Sequence, residues 1–243
     1  MLLALAPPPA RICLLPTASG DATAQIRAFR STLGGRGYDA SHISLFRLEH
    51  ERVPLVEHLL SQDLIYVGGG SMVNLLAIWR AHGIDEILRV AWERGIVLAG
   101  QSAGAMCWFE AGISRSRGQA RMVPGLGFVP GLLSVHYHRD GERREALLRM
   151  VAERGRSGYG LDDCAGVLIR ERAVSAALSG RDGAGVFRVE PDGSGAARET
   201  RLVARELSSP RPAIDDVAED IRELRRVRAL KGTRATSRRA GER

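Results

Sequence analysis

Ile96-Val97-Leu98-Ala99-Gly100-Gln101-Ser102-Ala103-Gly104-Ala105-Met106-Cys107-Trp108-Phe109 is the stretch that decides how this chain reads. Its first four residues form a short apolar run of the kind that makes a buried strand. The segment from Ala103 to Phe109 can continue as a helix. Between them lies G-x-S-x-G on what must be a sharp turn. In a strand–turn–helix context this pattern holds a serine Oγ exposed above a sheet, as a nucleophile elbow. Gly100 and Gly104 let the backbone turn without a Cβ clash. The plainer use of the same residues is a glycine-containing turn with a helix N-cap serine. The surrounding sequence decides between the two.

Upstream, Ile12-Cys13-Leu14-Leu15 reads as a first buried strand, and Asp21 to Leu33 as a helix stopped by Gly34-Gly35. His42 to Leu48 fits a second strand, followed by a helix over 53–61. Leu64-Ile65-Tyr66-Val67 is a third strand that runs directly into Gly68-Gly69-Gly70. Helices over 72–82 and 85–94 lead into the elbow strand. Short apolar strands alternating with helices imply a mostly parallel α/β sheet flanked by helices. Right-handed crossovers align the strand C-termini along one edge, where ligands bind. Both glycine-rich turns fall on that edge. After Gly158 the pattern changes. The runs 167–169, 174–178 and 186–189 are short strands, and polar glycine turns follow the last two. They predict antiparallel hairpins completing the same domain. The expected organisation is a disordered leader over 1–10, one domain over 11–221 with a charged helix from Ile214 to Leu230 at its end, and a basic, disordered tail over 222–243.

The chain has 243 residues, enough for a large core, and a formal net charge of +7. The segment from Arg222 to Arg243 holds nine basic and two acidic residues, so it carries that whole excess. The remainder is formally neutral, which argues against nucleic acid as a partner of the folded body. No apolar run approaches the roughly 20 residues that span a bilayer. Cys13, Cys107 and Cys164 lack metal-type spacing, and such a sparse odd set suits reduced thiols in the cytoplasm.

A serine nucleophile needs a base and an acid behind it. His136 and His138 leave a strand over 132–135, and alternation alone cannot choose between them. The only acid between Ser102 and these histidines is Glu110, two turns along the expected helix and about 12 Å away. The serine–acid–histidine order of α/β-hydrolases is therefore not met. A later acid fits, Asp162 or Asp163, of which an extended chain turns only one toward the site. Oxyanion donors are also needed. The Ala103 amide is one, and Gly68-Gly69-Gly70 can bring bare backbone close. Neither G-x-x-x-x-G-K-[ST] nor G-x-G-x-x-G is present, so a phosphate loop is not indicated.

Together, Ile65-Tyr66-Val67-Gly68-Gly69-Gly70, Leu75 to Arg80 and Gly100 to Phe109 resemble the dipeptidase E-like serine peptidases, family S51, which includes cyanophycinases. The resemblance runs from Ile12 to Leu178. It implies a class I glutamine amidotransferase-like fold, with serine in place of that fold's cysteine. It places the nucleophile on Ser102, the histidine on His136 with His138 as runner-up, and oxyanion donors at Gly69 or Gly70 and Ala103. It points to Arg143 and Arg144 as groups for an acidic substrate side chain, and to a short-peptide substrate such as Asp-X with no metal or organic cofactor. A homodimer is compatible with such a chain. Two positions depart from the family: Ser71 stands where asparagine is common, and Arg115, in Ser114-Arg115-Ser116, stands where many members carry the triad aspartate. Asp163, with Asp162 beside it, is the available substitute. These departures keep open a catalytically silent binding protein, and the elbow alone also fits another acyl hydrolase such as an esterase.

Overall fold

The chain alternates strand and helix because its short β-branched and leucine runs are buried on both faces. A computed structural model describes residues 2–50 and 54–207. The first half carries α1 (Leu2–Leu5), β1 (Arg11–Leu15), α2 (Thr23–Leu33), β2 (Asp39–His42), α3 (Leu55–Leu60), β3 (Leu64–Val67), α4 (Met72–His82), α5 (Ile84–Glu93) and β4 (Val97–Gly100). The four strands form one parallel sheet in the order β2-β1-β3-β4. Four of the five β1 residues are buried, as two-sided cover by helices demands.

The second half begins with α6 (Ala103–Met106), β5 (Phe109–Ser114), β6 (Arg121–Pro124), β7 (Val129–Val135) and α7 (Gly141–Arg154). It continues through β8 (Gly158–Leu161), β9 (Ala165–Arg170), β10 (Ala173–Ser179), β11 (Val186–Pro191), β12 (Ala197–Arg201) and β13 (Ala204–Glu206). Six of these strands form a mixed sheet in the order β12-β11-β8-β7-β5-β6, with β5, β7 and β8 mutually parallel. A small third sheet has the order β13-β10-β9.

One core joins the two large sheets. Cys13, Leu15, Ile65 and Val67 pack in the same cluster as Leu133, Val135, Leu161 and Val186. Trp79, Trp108 and Phe128 fill it, with the Trp79–Trp108 and Trp108–Phe128 ring centroids 6.0 and 5.8 Å apart. Each such buried side chain contributes about 1.5–3 kcal/mol or more of transfer energy. That packing sets the relation of the sheets, far outweighing any single polar contact at their edge.

Several expectations are corrected. The segment 42–48 is not a strand; β2 ends at His42, and Leu45–His50 is 3-10 helix. α6 stops at Met106 instead of running to Phe109. The Cys107, Trp108 and Phe109 carbonyls accept from Leu126, Val129 and Gly127, which pulls this segment into strand geometry. The turn after β10 makes no β10–β11 hairpin. β10 pairs with β9 and β13, while β11 pairs with β8 and β12. Where a disordered leader was expected, α1 forms, and Ala6 and Ala10 are buried beside Ile12 and Leu33. The terminal helix expected over 214–230 and the basic tail lie outside the described residues.

Candidate active site

The elbow is built by backbone contacts. β4 lies beside β3 with Val67 opposite Gly100, and the Gln101 N–H donates to the Val67 carbonyl at 3.0 Å. The chain then turns at Ser102 with φ 53° and ψ −113°, outside the regions open to an unstrained serine. A residue held there costs about 1–3 kcal/mol and persists only where its surroundings dictate it. Here they do. A Cβ on Gly100 would lie 2.0 Å from the Gly104 carbonyl oxygen, and one on Gly104 would lie 2.3 Å from that of Val67. The first turn of α6 closes on the serine, with Ala105 and Met106 N–H donating to its carbonyl at 3.0 Å.

His136 and Asp163 come from the neighbouring ends of β7 and β8. Parallel register sets Val135 opposite Leu161, so the residues after each strand emerge together. His136 takes φ 57°, which breaks the strand alternation and turns its ring toward the elbow. His136 Nε2 stands 3.2 Å from Ser102 Oγ, and Nδ1 is bonded to Asp163 Oδ1. With Nδ1 donating to the carboxylate, Nε2 is the acceptor for the serine hydroxyl. Burial by itself would raise the Asp163 carboxyl. Hydrogen bonds and positive charge from His136 and Arg139 outweigh it and hold the carboxyl below its ordinary value. His138 goes elsewhere. Its backbone N–H and Nδ1 both bond Asp162 Oδ1 at 3.0 Å, while Asp162 Oδ2 accepts from Gly185 N–H at 2.9 Å. Its ring stands edge-on to Phe187 at 4.5 Å. The two adjacent aspartates thus serve two different histidines.

Three amides near Ser102 carry no partner among the described residues: those of Gly69, Gly70 and Ala103. Gly69 is the glycine facing the serine, since a Cβ there would come within 3.3 Å of Ser102 Cβ. Gly70 has φ 148°, and a Cβ on it would meet the Ala18 carbonyl oxygen at 2.0 Å. That carbonyl also accepts from Ser71 N–H at 2.7 Å. Ser71 then caps α4 by accepting from Asn74 N–H at 3.2 Å, so it does the N-cap work that asparagine does equally well.

The model of peptidase family S51 matches residues 3–177. The chain belongs to peptidase family S51. The uncharacterized peptidase YgaJ of Bacillus subtilis is 41% identical over 180 residues, which cover 74% of this chain and 77% of that one. Among solved structures, a candidate peptidase E from Listeria monocytogenes matches with a TM-score of 0.52 at 16% identity, covering 83% of this chain and 92% of that one. A peptidase from an acI-B1 actinobacterium gives a TM-score of 0.53 at 20% identity, covering 80% and 81%. The structural likenesses are of fold, and they agree with the amidotransferase-like architecture. Membership of the family makes the chain a serine-type peptidase.

The arginines proposed for substrate in this S51 chain have intramolecular partners. Arg143 is only 13% exposed; it pairs with Asp140 at 3.2 Å and donates to the Ile113 carbonyl at 2.8 Å. Arg144 pairs with Glu199 at 3.1 Å, and Glu199 also accepts from Tyr137 OH at 2.6 Å. Neither bonds Ser102, His136 or Asp163. Both tie α7 to the mixed sheet. Arg115, at the family's frequent aspartate position, pairs with Asp140 at 3.2 Å and Glu142 at 3.5 Å. Its neighbour Ser116 accepts from Met72 N–H at 3.0 Å, supporting the start of α4. Glu110 lies on β5 rather than on a helix, and its carboxylate accepts from Gly131 N–H at 3.0 Å. Sequence reasoning missed Arg139, whose only signal is its place three residues after His136. Among the described residues no cluster of His, Cys, Asp or Glu could hold a metal ion, and no helix is long and apolar enough to cross a membrane.

Proposed function

We propose that this S51 peptidase hydrolyses short peptides through a Ser102–His136–Asp163 triad. The observation that carries the reading is the unbroken chain of contacts from Ser102 Oγ through both nitrogens of His136 to Asp163. In this mechanism His136 Nε2 takes the Ser102 proton as Oγ attacks the scissile carbonyl. The tetrahedral oxyanion accepts from the Ala103 amide and from Gly69 or Gly70. The intermediate collapses, His136 delivers the proton to the leaving amine, and an acyl-serine remains. Water, deprotonated by His136, then releases the acid and restores the serine. Asp163 keeps the proton on Nδ1 and stabilises the transient imidazolium.

Asp-X dipeptides are the first substrates to try. Neutral dipeptides belong in the same screen, because Arg115, Arg139, Arg143 and Arg144 all have carboxylate partners within the chain. Cys13, Cys107 and Cys164 form no disulfide, which suits a reducing compartment that we take to be the cytoplasm. Purified protein is expected to release amino acids from a dipeptide library, with Ser102→Ala lowering kcat by about 10³-fold or more. Turnover that survives Ser102→Ala rejects the mechanism. A catalytically silent protein would leave Ser102 unlabelled by a fluorophosphonate, and an esterase would prefer ester substrates over peptides.

A further inference from the structure

We propose that Arg139 is a positioning residue of this active site, holding Asp163 so that the carboxylate orients His136 while it also pairs with the Arg139 guanidinium. The inference rests on the triad reading above. The two carboxylate oxygens have separate donors: His136 on Oδ1, and Arg139 Nη1 on Oδ2 at 3.0 Å. A carboxylate held from both ends cannot rotate without losing a charge-assisted bond. Arg139 lies in the same tight loop as the base, closed by Asp140 N–H donating to the His136 carbonyl at 2.9 Å. His136 and Arg139 therefore share one hydrogen-bonded turn.

The neighbouring charged groups are otherwise engaged. Arg115, from the end of β5, is on Asp140 and Glu142. Arg143, from α7, is on Asp140 and the Ile113 carbonyl. His138 is on Asp162, after β8. None is placed to replace Arg139 on Oδ2. Cys164, next in sequence, is exposed and unpaired with another cysteine.

Arg139 has an electrostatic consequence as well as a geometric one. Its charge draws on the same carboxylate that would stabilise a protonated His136, and it opposes a second positive charge close by. Ser102 is activated only by unprotonated His136. Arg139 therefore extends activity toward lower pH. Its side chain is 61% exposed, so salt screens the effect and keeps it moderate.

The test is the rate of Ser102 labelling by a small fluorophosphonate, followed against pH for the full chain and for R139Q, R139K, D163N and R139Q/D163N. The probe has no peptide side chain, so specificity for substrate does not enter. In R139Q the rising limb is expected to move up by about half to one pH unit, with labelling about three- to ten-fold slower below the limb. R139K, which keeps the charge, should recover most of that shift. In the D163N background R139Q should add a clearly smaller shift, because the carboxylate that links the two groups is gone and only their direct repulsion remains. A limb unmoved in R139Q, or an equal shift with and without Asp163, overturns the proposal. So does an effect seen only as a raised KM for acidic peptides. Labelling that persists in Ser102→Ala instead overturns the triad reading itself, so the two failures are distinguishable. Circular dichroism and the thermal midpoint of R139Q check its fold; if it unfolds, the R139K profile and the D163N profile still carry the comparison, and an R139K limb displaced upward by about one pH unit rejects the charge argument.

Discussion

The two halves of the candidate site are held by different physics. The nucleophile half, at the ends of β3 and β4, is built of backbone packed against backbone. Gly100, Gly104 and Gly70 sit where any Cβ would strike a carbonyl, and the strained Ser102 lies between the first two and faces Gly69. The histidine half, at the ends of β7 and β8, is built of side-chain charge. His136, Asp163 and Arg139 form one chain of contacts; His138 and Asp162 form another; and Arg115, Asp140, Glu142 and Arg143 form a third. Steric constraints hold at any pH and ionic strength. Charge constraints titrate and screen. The comparison teaches that presentation of the serine should be robust, whereas its activation should depend on solution conditions.

The sharpest way to break the charged half is Asp163→Asn. It keeps the shape but removes the negative charge and turns one acceptor oxygen into an NH2 donor, so kcat should fall by about 10²–10⁴-fold, a far larger effect than the modest fall in thermal midpoint at neutral pH. Breaking the packed half gives the opposite signature. Gly104→Ala forces a Cβ to within 2.3 Å of the Val67 carbonyl, so denaturant midpoints should show about 3 kcal/mol or more of lost stability, with activity lost alongside. Asp162→Ala comes next. It strips three hydrogen bonds from a carboxylate that is 15% exposed, and should cost about 1–3 kcal/mol while kcat falls less than in Asp163→Asn.

A fourth outcome concerns acid. Asp163 is held below its ordinary value, so its stabilising contribution is complete above about pH 4 and is lost as pH falls through the folded value. Thermal midpoints of wild type and Asp163→Asn should therefore converge as the pH drops below about 4. The smallest effect belongs to Arg115→Gln. Its pairs are surface-exposed, so it should cost under about 1 kcal/mol and weaken further in high salt. A large activity loss there would mean that Arg115 touches substrate.

The parts legible in the sequence are those where neighbouring residues dictate the outcome. β3 and α4 fall where the apolar patterns predict, and Gly83 ends α4 in the left-handed conformation expected of a C-terminal glycine. The elbow was legible because its glycines and apolar strand are local. The two histidines were not separable, because alternation assumes an extended chain and His136 takes a positive φ. The short α6 and the β10 pairing were misjudged for a related reason. Hydrogen bonds from Gly125–Val129 and from β13 come from outside the local run, and β9, joined to β10 by only Glu171-Arg172, takes the edge that β11 was expected to fill. The substrate role suggested for Arg143 and Arg144 came from position alone, whereas burial and the distant Ile113 and Glu199 govern what they bond.

What the sequence determined by itself is a serine on a glycine-lined turn after a buried strand, a second glycine turn on the same sheet edge, and membership of family S51. These follow from steric rules that act over a few residues and from a pattern shared along most of the chain. What only the tertiary structure decided is which histidine meets the serine, which aspartate stands behind it, and that Arg139 shares that aspartate. The reason is physical. Those contacts span 34, 27 and 24 residues, and they exist only because the parallel register of β7 and β8, locked by the common core, brings two strand ends to the elbow.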